Sequence, residues 1–276
     1  MQKFSYHTHT TFSDGKNSVK EMIEQAVSLG WKELGISDHL IVHKNIPNSP
    51  SWYKWQKEPE IFHWSFNDIY EKFARHIEEI HKTSENYPIS VRVGAEVDFF
   101  TYDGWLDEFL RLREKLAFDY FISGNHYLFL DDAGENIIDF KDAQNLPIEQ
   151  QSTMVKRHFK TIEKAVASDL FSFIAHIDYV RKLPLCESDK KKKKKMQLIK
   201  TIAKNNATTE ISTKGIRKGG DFYPDCNLVK AAIENGVRFV ISDDAHRTDE
   251  LGYHFDYAED VLSRFNCNSR WHFVNK

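Results

Sequence analysis

His7-Thr8-His9-Thr10-Thr11-Phe12-Ser13-Asp14-Gly15 decides how this chain is read. Two histidines stand two residues apart, directly after a short run with apolar members, Gln2 to Tyr6. In an extended strand, residues i and i+2 share a face. His7 and His9 therefore present two imidazoles to one point, where the strand opens into a turn. Neutral imidazole nitrogens aimed at one point suit a divalent metal. Asp14, in a Ser-Asp-Gly turn, adds a hard anionic ligand. An isolated His-x-His also fits a polar strand end, so the reading depends on the rest of the chain.

The rest of the chain repeats the pattern. Glu33 to Ser37 is a short apolar run followed by Asp38 and His39. Ser90 to Val97 reads as a strand with Glu96 near its end. Tyr120 to Ser123 leads to His126, and Phe171 to Ala175 leads to His176. Val237 to Ser242 leads to Asp243, Asp244 and His246. Each ending alone fits a cap or a satisfied histidine. Together they place ligand-type residues at the carboxyl ends of successive strands, the arrangement that (β/α) barrels provide.

The length of 276 residues suits one such unit spanning 1–276, since barrels of about 250 residues are common. A formal net charge of −3 argues against nucleic acid or an anionic membrane surface as partner. Cys186, Cys226 and Cys267 are far apart, odd in number and without metal-site spacing, which fits a reducing, cytoplasmic setting. No signal peptide is expected before a strand that begins at Lys3, and no run of about 18 apolar residues marks a membrane span.

Periodicity and punctuation predict helices over Ser18–Leu29, Ser65–Lys82, Trp105–Leu116, Gln150–Ala167, 189–205, Pro224–Asn235 and Tyr257–Phe265. They alternate with strands at Lys3–Tyr6, Glu33–Ser37, Ser90–Val97, Tyr120–Ser123, Phe171–Ala175, Ala207–Ser212 and Val237–Ser242, and Arg270–Val274 is a candidate last strand. This gives seven βα repeats. Leu40–Trp64 is a long aromatic connection, read as a wall over the site, with His43 and His63 left out of the ligand set. Asn125–Pro147 is a second long loop near the site. Lys190 to Lys195 sit inside a predicted helix and read as a solvated face rather than a nucleic-acid patch. The basic, glycine-rich loop Thr213 to Gly220 after the sixth strand reads as a phosphate cradle.

With these pieces assembled, the sequence resembles the polymerase-and-histidinol-phosphatase (PHP) family. The matching segments are H-T-H-T-T-F-S-D-G at 7–15, S-D-H at 37–39, G-A-E-V-D at 94–98, G-N-H at 124–126, A-H-I-D-Y-V at 175–180 and S-D-D-A-H at 242–246. The resemblance implies an α/β fold, a distorted TIM-like (β/α)7 barrel, holding up to three divalent metals. The length, Asp14 and I-S-T-K-G-I-R-K-G at 211–219 make it most similar to the histidinol-phosphate phosphatase branch. That branch's pattern leads one to expect Asn-Thr-Ser-Gly where this chain has Ser212-Thr-Lys-Gly. By resemblance, one metal takes His7, His9, Glu96 and Asp244. A second shares Glu96 and takes His126 and His176. A third takes Asp14, His39 and His246. Chemistry alone leaves Asp243 and Asp244 open; Asp244 has the Asp-Ala-His spacing. The donors suit zinc, manganese or iron.

The expected reaction is hydrolysis of a small phosphate monoester. Closely spaced metals lower the pKa of a bridging water, and the hydroxide attacks phosphorus in line. Arg217 is the first candidate to meet phosphoryl charge, with Lys218 beside it and Arg181 and Arg157 as lesser ones. Asp244 or a metal-bound water would protonate the leaving alcohol. Rival readings are a phosphodiesterase or nuclease, a protein-tyrosine phosphatase, a metal-dependent amidohydrolase and a non-catalytic barrel. The oligomeric state is not encoded legibly.

Overall fold

The computed structural model describes residues 2–57, 61–183, 188–267 and 269–273. Among these residues the strands are β1 (Glu33–Ile36), β2 (His39–Val42), β3 (Phe62–His63), β4 (Ser90–Val97), β5 (Tyr120–Ser123), β6 (Tyr127–Phe129), β7 (Ile137–Asp139), β8 (Phe173–Ile174), β9 (Thr208–Ser212) and β10 (Arg238–Ser242). One parallel sheet runs β10-β9-β8-β5-β4-β2-β3, with β1 also paired to β4. The offset between β1 and β4 equals that between β2 and β4, so β1 and β2 form one stave interrupted at Ser37 and Asp38.

Helices on the outside connect these staves. Val19–Ser28 starts on a capping box: Ser18 accepts from the Glu21 amide and Glu21 returns the bond. Ile148–Ala167 buries Met154, Val155, Phe159 and Ile162. Cys226–Glu234 starts at Asp225, whose side chain accepts from the Leu228 amide. The predicted helix over Ser65–Lys82 is divided into a 3-10 turn, Phe66–Asp68, and a helix, Tyr70–Ser84. The Lys190–Lys195 run lies in Ser188–Lys204; Lys192, Lys193 and Lys194 are exposed and Lys195 pairs with Asp225 at 2.9 Å. No described helix is long and apolar enough to cross a membrane.

The expected first strand, Lys3–Tyr6, does not form a regular ladder. Residues 5–9 instead lie between β1 and the end of β10. Ser5 and Thr8 carbonyls accept from Gly35 (2.7 Å) and Ser37 (2.9 Å), while His9 donates to the Ala245 carbonyl (2.8 Å) and His7 accepts from Ala245 (3.2 Å). Side chains replace the missing ladder bonds: Thr8 donates its hydroxyl to the Gly35 carbonyl and its amide to the Ser37 hydroxyl. The segment thus bridges the two edges of the open sheet. The expected final strand reduces to one bridge, Phe239 to Arg270; Val274 lies outside the described residues.

Both long connections are structured. Residues 40–64 hold β2, a 3-10 turn, the short helix Trp52–Trp55 and β3. Residues 125–147 hold the β6–β7 hairpin and the helix Phe140–Ala143. Inside the ring, Tyr6, Tyr120, Ile122, Phe173 and Val240 form a compact core, with Trp271 and Phe273 of the C-terminal segment packed against it. Gly94 makes room for the Tyr120 ring: a Cβ there would meet the ring at 2.2 Å. With its lower half filled by these side chains, the ring is open at its carboxyl end among the described residues.

Candidate metal centre

Glu96, the seventh residue of β4, stands at the middle of that open end. It is fully buried, and five imidazoles surround its carboxylate. The separations are 2.9 Å to His176, 3.1 Å to His39, 3.3 Å to His7 and 3.4 Å each to His126 and His9. Asp244 faces the same cluster from beyond β10, with its Oδ1 3.3 Å from His9, 3.5 Å from His246 and 3.6 Å from His7. Asp14 closes the outer side at 3.1 Å from His246 and 3.5 Å from His39. Four overlapping groups converge on possible ion positions: His9-Asp14-His39-His246, His7-Glu96-His176, His7-His9-Asp244 and His39-Glu96-His126. All nine ligands chosen from the sequence are in these groups, though the subdivision differs: His9 joins the Asp14 group, and His39 and His7 share Glu96.

Backbone geometry at the strand ends aims these side chains. Asn125, His176 and Asp244 have φ of 54°, 24° and 47°. Non-glycine residues rarely adopt this left-handed region, which is enriched at functional sites. Gly124 has a different task. A Cβ there would meet Glu96 and the His126 ring at 2.7 Å, so the Gly-Asn-His turn needs glycine to bring His126 against the carboxylate.

Sequence reasoning missed the carboxylates that orient the imidazoles. Glu210 of β9 is fully buried; its Oε2 lies 2.8 Å from His7 Nδ1 and accepts from Ser242 at 2.7 Å, while Oε1 accepts from the His176 amide at 2.7 Å. His7 Nε2 is thereby turned to the cluster. Asp98 does the same for His126, at 2.9 Å from Nδ1. Such outer partners fix tautomer and orientation. Their signal was an acid two residues past Glu96 and another in the middle of a strand, neither in a histidine motif. Asp38, inside a quoted motif, takes no place in the cluster. It accepts from the Thr10 amide and hydroxyl, Ser13 and His76, and so pins the loop that carries Asp14. Asp243 also turns away, accepting from Ser5 and the Gly252 amide, and burial raises its pKa to about 6.

The electrostatics fit cations. Burial opposes ionisation of Glu96, Asp14 and Asp244, yet neighbouring imidazoles, and Lys214 at Asp244, hold all three well below the usual carboxylate range. Burial, then His246 and His39, push His9 down to about 4, so it is a neutral donor. Burial lowers His39 as well, but Asp14 and Glu96 outweigh it and lift it to about 9. Buried atoms His7 Nε2, His9 Nδ1 and Nε2, His39 Nδ1, Glu96 Oε2 and Asp244 Oδ1 have no hydrogen-bond partner. Buried polar groups are rarely left so. Orphaned nitrogens and carboxylate oxygens crowded around one centre fit divalent metals, with no thiolate among them.

The basic residues behave differently from expectation. The Thr213–Gly220 segment is not an open cradle: it holds a short helix, Lys214–Arg217. Arg217 donates to the carbonyls of Asp243 (2.9 Å) and Asp244 (3.0 Å) and lies 3.5 Å from Glu250. Arg181 is likewise turned to the carbonyls of Phe222 and Asp221 and stacks 3.8 Å from the Tyr223 ring. Arg157 ties its helix to Asp132 and to the Leu130 carbonyl. Lys218 lines a separate hollow of about 250 Å³ with Arg181 and Gly219. The lysine that does reach the cluster is Lys214, 2.8 Å from Asp244 Oδ2.

A pocket of about 370 Å³ opens beside Asp14, His39 and His126. Its wall is Trp55, Ile61, Phe62, Tyr127 and Tyr179, and its charged lining is Lys54, Lys57, Lys141 and Asp139. The 40–64 connection therefore does form a wall of the site, through Trp55 rather than Trp52. Trp52 lies in a neighbouring groove with Trp64 and His63. His43 is bonded to the Gly134 carbonyl, and neither His43 nor His63 is in the metal groups.

A family model described as PHP domain matches residues 5–214. Among curated proteins, "Probable histidinol-phosphatase" of Thermotoga maritima is 26% identical over 266 residues, covering 94% of this chain and 91% of the relative. The protein of the same name from Deinococcus radiodurans is 24% identical over 257 residues, covering 90% and 88%. Among solved structures, histidinol phosphate phosphatase from Lactococcus lactis, complexed with zinc, L-histidinol and phosphate, superposes with a TM-score of 0.65. It is 15% identical, and the match covers 95% of this chain and 93% of that one.

Proposed function

The chain belongs to the PHP domain family, and on that premise we propose that it is a metal-dependent phosphomonoesterase of the histidinol-phosphatase type. The reaction is L-histidinol phosphate and water to L-histidinol and phosphate. The observation that carries this reading is the convergence of nine imidazole and carboxylate side chains, with orphaned donor atoms, beside an aromatic pocket that Asp14, His39 and His126 line. The Lactococcus lactis structure, which shares the fold, is described with zinc, L-histidinol and phosphate together.

We assign up to three divalent ions, zinc, manganese or iron, to His7, His9, Asp14, His39, Glu96, His126, His176, Asp244 and His246. Bound there, such ions supply Lewis acidity toward phosphoryl oxygens and a lowered pKa for water. The chain's own residues do the rest. Glu96, with two oxygens among five imidazoles, serves more than one ion position. Glu210 and Asp98 keep His7 and His126 in the donor tautomer. Trp55, Phe62 and Tyr127 offer aromatic faces to the imidazole of the leaving group, beside Asp139, which is paired with Lys54 at 2.8 Å. Lys54, Lys57 and Lys141 make the pocket mouth basic toward a phosphate dianion, with Lys54 itself paired to Asp139 and Asp142 at 2.8 Å each. Those three lysines also support a second reading, a phosphodiesterase acting on nucleotides, whose leaving groups carry their own negative charge.

The test is turnover by purified, metal-supplemented protein. Histidinol phosphate should be hydrolysed with greater efficiency than nucleoside monophosphates, an aryl phosphate or a generic diester. A diester cleaved faster than every monoester would refute the assignment in favour of the second reading.

A further inference from the structure

We propose that Lys214 is the side chain that takes a phosphoryl oxygen of the substrate, the role expected of an arginine on this face. The inference rests on the phosphatase reading above. Lys214 opens the short helix that follows β9, and its ammonium lies 2.8 Å from Asp244 Oδ2 with 19% of the side chain exposed. The two oxygens of Asp244 are divided. Oδ1 faces His9, His246 and His7 and has no hydrogen-bond partner, so it belongs to the ion cluster. Oδ2 faces the ammonium. Lys214 is thus held at the rim of the cluster by a carboxylate whose other oxygen points to the ions.

An ammonium has three donors, and Asp244 takes one. The other two are available to an anion docked against the ion cluster. Arg217 and Arg181 are turned elsewhere, although Arg217 Nη1, 3.5 Å from Glu250, has no hydrogen-bond partner of its own. Their guanidinium groups donate to main-chain carbonyls at Asp243, Asp244, Asp221 and Phe222, and withdrawing either would leave those carbonyls unsatisfied. Both arginines are positioning residues: they brace the turns that carry Asp244 and the β9 loop. A lysine on a flexible stem can follow an equatorial oxygen as the phosphoryl group moves in line, where a rigid fork would not. Charge spreading onto that oxygen strengthens the contact in the transition state, so the residue should affect kcat as well as KM.

The test uses the zinc-loaded full-length protein and inorganic phosphate as the probe. For Lys214→Met, we expect zinc content equal to wild type, an inhibition constant for phosphate raised about tenfold or more, and kcat/KM for histidinol phosphate lowered about a hundredfold. Lys214→Arg should restore part of both losses, and it guards against a Met variant that fails to fold. Arg181→Met should leave phosphate inhibition within about twofold of wild type. Unchanged phosphate inhibition in Lys214→Met at full zinc content overturns the proposal. Loss of zinc in step with loss of phosphate binding also overturns it, because Lys214 would then serve only to hold Asp244. A wild-type protein that is folded, zinc-loaded and inert to every phosphate ester would refute the phosphatase reading itself, and this proposal with it.

Discussion

Replacing Glu210 by glutamine isolates the cost of orienting a ligand without touching an ion. Three donors converge on the Glu210 carboxylate: His7 Nδ1 and the Ser242 hydroxyl on Oε2, and the His176 amide on Oε1. Glutamine offers one acceptor oxygen and an NH2 group. With its oxygen toward His7, the NH2 meets the His176 amide, and a 2.7 Å hydrogen bond is lost. With its NH2 toward His7, the imidazole must move its proton to Nε2, which disables the nitrogen facing Glu96 and Asp244. In the first orientation a buried amide is left unpaired, and the metal-free protein should lose about 1–3 kcal/mol of stability; in the second, Nε2–H faces Glu96 at 3.3 Å and the penalty falls on metal binding. Metal affinity should fall by about 10–100-fold, or roughly 1.4–2.7 kcal/mol, the usual cost of removing a ligand's outer partner. Zinc competition against a chromophoric chelator measures the affinity, and thermal unfolding of the metal-free protein measures the stability. A variant that binds zinc within about twofold of wild type would show that His7 needs no such orientation and refute the reasoning.

Four other outcomes are expected. Elemental analysis should find two to three equivalents of transition metal, on the order of the ligand groups available, and Glu96→Ala should lower that content more than any single histidine substitution does; equal losses would remove the shared-carboxylate assignment. Metal uptake should release protons and strengthen as pH rises toward 9, because Asp14 and Glu96 keep His39 protonated in the metal-free protein up to about 9; calorimetry in buffers of different ionisation enthalpy reads the proton count, and zero release at pH 7 would contradict it. Trp55→Leu should weaken histidinol phosphate by about tenfold or more while sparing an aryl phosphate, and Trp52→Ala should do little, since Trp52 lies outside the pocket. Arg217→Ala should lower thermal stability by about 1–3 kcal/mol, through the carbonyls of Asp243 and Asp244 that it leaves unpaired.

The alternating strands and helices were legible because each long element carries its own period and punctuation. Ser90–Val97 and Tyr120–Ser123 were bounded to the residue. The residues of the candidate metal centre were legible because histidine and carboxylate at strand ends form short contiguous motifs, and the fold brings them together. What failed was of two kinds. Residues 5–9 have the composition of a strand, but side-chain hydroxyls from Thr8 and Ser37 take over the ladder, and no propensity encodes that exchange. The orientation of cations was also hidden. Arg217, Lys218 and Lys214 are adjacent in sequence and equally basic, and one turn of helix sends Arg217 to carbonyls and Lys214 to Asp244. The departure at Lys214 from the expected loop pattern was visible, but without a fold it read only as a mismatch. Glu210 was invisible for another reason: its three donors come from residues 7, 176 and 242, and only the assembled ring brings them together.

The segment that bridges the sheet edges also carries His7 and His9. Its main-chain bonds to the two flanking strands are few. An ion gripping His7 or His9 together with Glu96 or Asp244 therefore fastens the N-terminal stave to the strands on either side, like a clasp on a bracelet. Occupancy of the centre and closure of the ring become one thermodynamic event, since whatever binds only the closed form stabilises it. The seam between residues 5–9 and their neighbours is then better protected in the loaded molecule than in the metal-free one. By the same linkage, any pull on the N-terminus reaches the metals before it reaches the rest of the fold.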